Sequence, residues 1–107
     1  SCGLLVDTYH LWRSGATLGD VESVPLGEIA YVQFSDVPKT GLAPGQFTDR
    51  LPPGEGVVPF ADFFALLGRK GYRGFLSYEA PNPAAWQRPA EDVAREALAA
   101  TRARLPR

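Results

Sequence analysis

Residues 2–7 read Cys-Gly-Leu-Leu-Val-Asp, and this stretch decides the fold class of the chain. A short apolar run without alternation is typical of a strand that is buried on both faces of a parallel sheet. The run ends at a carboxylate, Asp7, and the carboxyl ends of such strands are where α/β proteins bind their ligands. We therefore expect a parallel sheet with functional groups at this edge.

Two later stretches have the same character. Residues 28–36, Glu-Ile-Ala-Tyr-Val-Gln-Phe-Ser-Asp, and residues 73–79, Arg-Gly-Phe-Leu-Ser-Tyr-Glu, are rich in β-branched and aromatic side chains and end in polar ones. These features predict a second and a third strand. Each of the three strands is followed by a helical pattern or by a loop that leads into one.

The helical patterns place helices between and after the strands. Short helices are predicted over residues 8–14 and 18–24, and a longer one begins after Pro59 and ends at Gly71. A last helix is predicted from residue 90 to about residue 105. The alternation of strand and helix predicts one α/β domain with a parallel sheet covered by helices.

Two stretches are predicted as loops, residues 37–57 and residues 80–89, because both are rich in Pro. An irregular segment of about 20 residues inside a compact domain is uncommon and is usually functional. Within the first loop, Gly54-Glu55-Gly56 predicts a tight turn in which the backbone approaches a ligand.

Composition excludes several classes of partner. Eleven Lys and Arg residues against twelve Asp and Glu give a formal charge of −1 over 107 residues, so the basic surface of a nucleic-acid binder is missing. The longest apolar stretches are about a quarter of the roughly 20 residues that a membrane span requires. A single cysteine, Cys2, cannot form an internal disulfide, and no signal pattern opens the sequence. We expect a cytoplasmic protein without nucleic-acid or membrane partners.

Three oxygen-bearing side chains stand near the ends of the predicted strands: Asp7, Gln33 and Glu79. The carboxyl ends of parallel strands meet at one edge of a sheet, so these groups are expected to converge. Two carboxylates and a neutral amide suit a divalent cation such as Mn, Mg, Co or Zn. His10, three residues after Asp7, lies within reach of the same point. The alternative is that the carboxylates only cap helices and the His is a surface group.

Four motifs together resemble those of the xylose isomerase-like (β/α)8-barrel superfamily, and most closely its sugar phosphate isomerase/epimerase branch. They are Asp-Thr-Tyr-His at 7–10, Tyr-Val-Gln-Phe-Ser-Asp at 31–36, Asp-Arg-Leu-Pro-Pro-Gly-Glu-Gly at 49–56 and Gly-Tyr-Arg-Gly-Phe-Leu-Ser-Tyr-Glu at 71–79. The resemblance implies a partial TIM barrel in which residues 1–107 are the C-terminal portion, three consecutive β/α units. The N-terminal half of the barrel, which carries one further Glu ligand in the family, is then expected in a preceding segment or in a partner chain.

The resemblance also implies roles for individual residues. Asp7, Gln33 and Glu79 match the metal ligands, and Glu79 is the candidate proton carrier. His10 matches the substrate-contacting His, a second candidate catalytic residue, and Arg50 matches an Arg that binds a substrate oxygen. Trp12 is a further candidate for lining the substrate pocket, although aromatic residues are more often part of a core.

The implied function is a metal-dependent isomerase or epimerase that acts on a sugar, sugar acid or sugar phosphate by proton transfer next to a metal-polarised carbonyl. Gln33, where many epimerases have His, resembles the 3-dehydroshikimate dehydratase branch, so a lyase on the same barrel is the alternative. The DNA-repair endonucleases of the superfamily need several histidines, and this sequence has one. A catalytically inactive fragment that needs a partner chain, or a homo-oligomer, also stays open.

Overall fold

A three-stranded parallel sheet organises the computed structural model, which describes residues 2–106. Its strands are β1 (Leu4–Asp7), β2 (Ile29–Phe34) and β3 (Leu76–Tyr78), and their order in the sheet is β1-β2-β3. Both pairings are parallel. The predicted parallel α/β architecture is confirmed.

Helices follow each strand, and their bounds are α1 (Thr8–Arg13), α2 (Leu18–Glu22), α3 (Phe60–Lys70), α4 (Pro83–Trp86) and α5 (Ala90–Arg102). The sequence predicts all of them except α4, which lies in the stretch expected to be a loop. The Asn82 side chain accepts a hydrogen bond from the Ala84 amide, and Pro83 occupies the first helical position, so this single turn has its own start signal. Among the described residues, no helix is both long and apolar enough to span a membrane.

The two faces of the sheet have different surroundings. Val6 pairs with Val32, and Phe34 pairs with Tyr78, on the face that packs against the helices. Side chains alternate along a strand, so Leu5 and Asp7 lie on the opposite face. Leu5 is 53% exposed there. We call this opposite side the open face.

The core lies between the sheet and α3. Phe60, Phe63, Phe64 and Leu67 are all buried, as the spacing predicts for one helix face. The rings of Phe34 and Phe64 pack edge to face with their centroids 5.5 Å apart. Helix α3 ends at Gly71, whose φ of 88° is a left-handed conformation that favours glycine.

Candidate functional site

The guanidinium of Arg50 is the centre of a polar group at the carboxyl ends of the strands. Its Nη1 lies 3.7 Å from Oδ2 of Asp7 and 4.0 Å from Oε2 of Glu79. Its Nη2 lies 3.3 Å from Nε2 of His10. The structure therefore brings together four residues that the sequence singles out. Asp7, His10 and Glu79 lie around the positively charged guanidinium of Arg50.

Asp7 is oriented by the helix that follows it. One carboxylate oxygen, Oδ1, accepts hydrogen bonds from the amides of Tyr9 and His10 at 2.9 and 3.4 Å, which makes Asp7 the N-cap of α1. The other oxygen, Oδ2, remains directed at Arg50. The cap is therefore confirmed, and the second oxygen leaves the predicted role of Asp7 in a site compatible with it.

Gln33 and Glu79 continue the row across the sheet. The Cα of Gln33 pairs with that of Asp7 on one side and with that of Ser77 on the other. Residues in register on parallel strands share a face, so Gln33 lies on the open face with Asp7. The Glu79 amide donates to the Phe34 carbonyl at 3.1 Å, one position beyond β3. The three predicted metal ligands thus end three adjacent strands.

These donors fit part of a divalent-cation site. Two carboxylates and an amide oxygen have suitable chemistry, but the Arg50 guanidinium already pairs with both carboxylates. Within residues 2–106 no three His, Cys, Asp or Glu side chains are grouped so as to hold a metal. A complete ligand set therefore needs Gln33 and a donor from outside this group.

Arg50 is held almost completely buried, with 7% of its surface exposed. Its Nε donates to the Phe47 carbonyl at 3.0 Å, and its guanidinium carbon lies 4.4 Å from the centroid of the Tyr9 ring. Its Nη1 is buried without an acceptor at hydrogen-bond distance. A buried donor without a partner is uncommon, and here the nearest acceptors of Nη1 are the carboxylate oxygens of Asp7 and Glu79, at 3.7 and 4.0 Å.

His10 faces Arg50 as an acceptor. Guanidinium nitrogens only donate, so the contact with Arg50 requires a free lone pair on Nε2 and places the ring proton on Nδ1. The His10 side chain is 55% exposed, so it reaches solvent as well as the site. The same Nε2 lies 4.0 Å from Oδ2 of Asp7, so His10 stands at the edge of the polar centre beside both Arg50 and Asp7.

The substrate role predicted for Trp12 is not supported by its position. Its indole packs edge to face against Phe63 of α3, with ring centroids 6.1 Å apart. Trp12 belongs to the partly buried residues around the core rather than to the group at the strand ends. Sequence periodicity in a helix as short as α1 does not tell the site side from the core side.

Three residues of the site's support are absent from the sequence predictions: Tyr9, Asp36 and Asp49. The Tyr9 hydroxyl donates to Asp49, and burial followed by this hydrogen bond raises the pKa of Tyr9 to about 12. Tyr9 therefore remains a neutral donor at physiological pH. Arg13 pairs with the same carboxylate at 3.5 Å. The Asp-Arg pair in the sequence is the only signal that points to Asp49.

A cavity of about 660 Å³ opens beside the polar group. Asp7 and His10 line it together with the apolar side chains of Leu5, Leu11 and Phe47. A few polar groups among apolar walls are typical of a small-molecule site. The turn at Gly54-Glu55-Gly56 is not part of this cavity: the amides of Gly54 and Gly56 donate to Asp36, and the expected approach of the turn to a ligand stays a prediction.

Comparisons with known proteins agree on one family. Residues 1–104 match the model of the xylose isomerase-like TIM barrel. The inosose isomerase of Halalkalibacterium halodurans is 27% identical over 95 residues, which are 89% of this chain and 34% of that protein. The chain thus spans about a third of the length of this curated relative.

Two solved structures are similar. A crystal structure of the IolI protein with a bound zinc atom superposes with a TM-score of 0.80 at 21% identity, covering 92% of this chain and 36% of that one. A xylose isomerase domain protein from Alicyclobacillus acidocaldarius gives a TM-score of 0.71 at 27% identity, covering 94% and 38%. The predicted partial TIM barrel is confirmed as the fold.

Proposed function

Because this chain belongs to the xylose isomerase-like TIM barrel family, we propose that it forms the metal- and substrate-binding end of a sugar or sugar phosphate isomerase/epimerase. The observation that carries the proposal is the meeting of Asp7, Glu79, His10 and Arg50 at the carboxyl ends of the strands. The similarity to an inosose isomerase supports an isomerisation of a sugar-like carbonyl compound such as an inosose. The chain spans about a third of that relative's length, so the activity of a complete barrel is part of this proposal.

Asp7, Gln33 and Glu79 would hold the divalent cation, together with a donor from the rest of the barrel. The cation supplies electrostatic stabilisation of negative charge that develops on the substrate's oxygens. Arg50, whose guanidinium lies beside Asp7, Glu79 and His10, is assigned to a substrate hydroxyl or carbonyl oxygen, as the family resemblance implies. His10, at the exposed rim, donates a hydrogen bond from Nδ1–H to a second substrate oxygen.

Proton transfer next to the carbonyl is assigned to carboxylates. A carboxylate that binds a cation is a weak base, so Glu79 shares this work with the donor that the rest of the barrel supplies. The apolar walls formed by Leu5, Leu11 and Phe47 contact the carbon faces of the sugar. The chain's own residues thus bind and orient the substrate.

Solvent exchange tests the proposed reaction without knowledge of the natural sugar. The intact protein, incubated with a panel of ketoses and inososes in D2O, should incorporate deuterium at the carbon next to the carbonyl, measured by NMR. EDTA should abolish the exchange, and added Mn²⁺ or Co²⁺ should restore it. Loss of water to a conjugated product would instead favour the lyase. Exchange that persists at full rate after metal removal would contradict the proposal.

Replacing Arg50 by Ala should raise KM by about 10- to 100-fold, with a smaller change in kcat. This is the size of effect that follows from losing hydrogen bonds between substrate and a charged donor. Arg50→Lys should recover only part of the loss, because an ammonium lacks the forked donors. Arg69→Ala, on the exposed end of α3, is the matched control. An unchanged KM in Arg50→Ala would remove Arg50 from the substrate site.

A further inference from the structure

We propose that Asp36 is a positioning residue for Arg50, through a buried carboxylate that fixes the loop from which the guanidinium reaches the strand ends. The proposal rests on the substrate-binding role given to Arg50 above. Asp36 lies two residues beyond β2 and is completely buried. Among the described residues its carboxylate has no hydrogen bond or ion pair to Asp7, His10, Arg50 or Glu79, so the proposed action runs through the loop.

The Asp36 carboxylate gathers four backbone donors. Oδ1 accepts from the amides of Val37 and Val58, both at 2.9 Å, and Oδ2 accepts from those of Gly54 and Gly56 at 2.8 and 2.9 Å. Three of these donors come from the far end of the long loop, 18 to 22 residues along the chain. The carboxylate therefore ties the end of the loop to the end of β2.

No cation neutralises this carboxylate within the part of the chain that the structure describes, since no Lys, Arg or His nitrogen there lies within 4.0 Å of Asp36. Burial of an unpaired charge is costly unless hydrogen bonds replace the lost hydration. Four amide donors provide that replacement here. The arrangement requires both side-chain oxygens of residue 36 to accept hydrogen bonds, and only a carboxylate has two accepting oxygens.

The backbone of Asp36 continues the same connection to Arg50. Asp36 and Leu51 form an antiparallel bridge, with N–H to carbonyl distances of 2.7 and 3.1 Å. Leu51 is the neighbour of Arg50, whose own carbonyl accepts from Asn82 at 3.1 Å. Arg50 is thus fixed on the side of β2 by Asp36 and on the side of α4 by Asn82.

Two glycines let the loop close on the carboxylate. A Cβ at Gly56 would lie 2.0 Å from the Val37 carbonyl oxygen and 2.6 Å from Asp36 Oδ1, so no other residue fits. Gly54 has a φ of +97°, a left-handed conformation. The Gly-Glu-Gly turn is therefore shaped for an internal anion, the Asp36 side chain.

The first arm of the test measures the position of Arg50 directly. Labelling of Arg50 by phenylglyoxal, followed by mass spectrometry on the folded intact protein, should be slow in the parent because Arg50 is buried. In the Asp36→Asn variant, the side-chain NH2 of the new asparagine would face backbone N–H groups and could not accept their hydrogen bonds. Labelling of Arg50 should therefore rise by at least about threefold as the loop opens locally. Unchanged labelling in a folded Asp36→Asn would overturn the proposal.

The second arm measures substrate binding. Asp36→Asn should raise KM by about tenfold with a smaller change in kcat. In a double-mutant cycle, adding Asp36→Asn to Arg50→Ala should change KM by less than about twofold, because the two losses share one cause. Fully additive effects would overturn the proposal. If the parent turns over no sugar, the proposed function fails while the labelling arm still decides the role of Asp36.

A milder variant covers the case in which Asp36→Asn does not fold. Gly54→Ala forces a side chain into a left-handed position, and its Cβ meets only the flexible Arg104 guanidinium, which can move aside. It should raise both Arg50 labelling and KM in the same direction. Gly27→Ala, where a Cβ meets nothing within 4 Å, is the control and should change neither. Equal behaviour of the two glycine variants would overturn the proposal.

Discussion

Replacing Asp7 by Asn is expected to lower metal-dependent turnover of the intact protein by at least about 100-fold, since removal of mere supporting partners of metal ligands already costs about 10- to 100-fold. Asn is an equally good N-cap, so α1 should keep its start and the protein its fold. The substitution removes only the negative charge that lies 3.7 Å from Arg50. Turnover and bound metal, measured together, check the expectation.

The matched variants separate the site from general effects of charge. Glu79→Gln removes the second carboxylate near Arg50 and should cause a loss of similar size. Asp62→Asn removes an exposed carboxylate on α3 that forms no ion pair within the described residues, and should leave turnover unchanged. Full activity and full metal content in Asp7→Asn would contradict the assignment of Asp7 to the site.

The largest effect on stability is expected for Phe63→Ala, with a loss of about 3 to 5 kcal/mol in the free energy of unfolding. Phe63 has no exposed surface and packs against Trp12, Phe60 and Phe64. The cavity left by its ring cannot be refilled without moving the neighbouring rings. Urea denaturation followed by circular dichroism measures the change.

Phe75→Ala provides the comparison, because Phe75 is 78% exposed. Its substitution should change the free energy of unfolding by less than about 0.5 kcal/mol. Similar losses for the two phenylalanines would mean that α3 does not pack on the sheet as described.

The strands were predictable from the sequence because each combines an apolar run with a polar end. The boundaries of the strands were harder to predict, since β3 begins at Leu76 rather than at residue 73. It pairs only with the three residues Val32–Phe34 of β2, and pairing partners are not visible in a single sequence. Helix α5 likewise ends at Arg102, before the predicted residue 105.

The candidate site divides in the same way. Convergence of Asp7 and Glu79 follows from the rule that parallel strands end at one edge. The approach of Arg50 follows only from the family resemblance, because Arg50 lies in an irregular loop. The role of Asp36 leaves no periodic signal, since its partners are backbone amides that every residue type except proline offers. Side-chain patterns therefore reveal the ends of strands and miss what holds a loop in place.

The open face has a consequence for the strength of the forces within the site. The Arg50 guanidinium attracts the carboxylates of Asp7 and Glu79 across gaps of 3.7 and 4.0 Å, and the Glu79 side chain is 48% exposed to water. Coulombic attraction at such distances grows several-fold as the local dielectric constant falls from that of water toward that of a protein interior. Covering this side of the sheet, and so excluding water from it, would therefore strengthen the attraction of Arg50 for both carboxylates at unchanged distances.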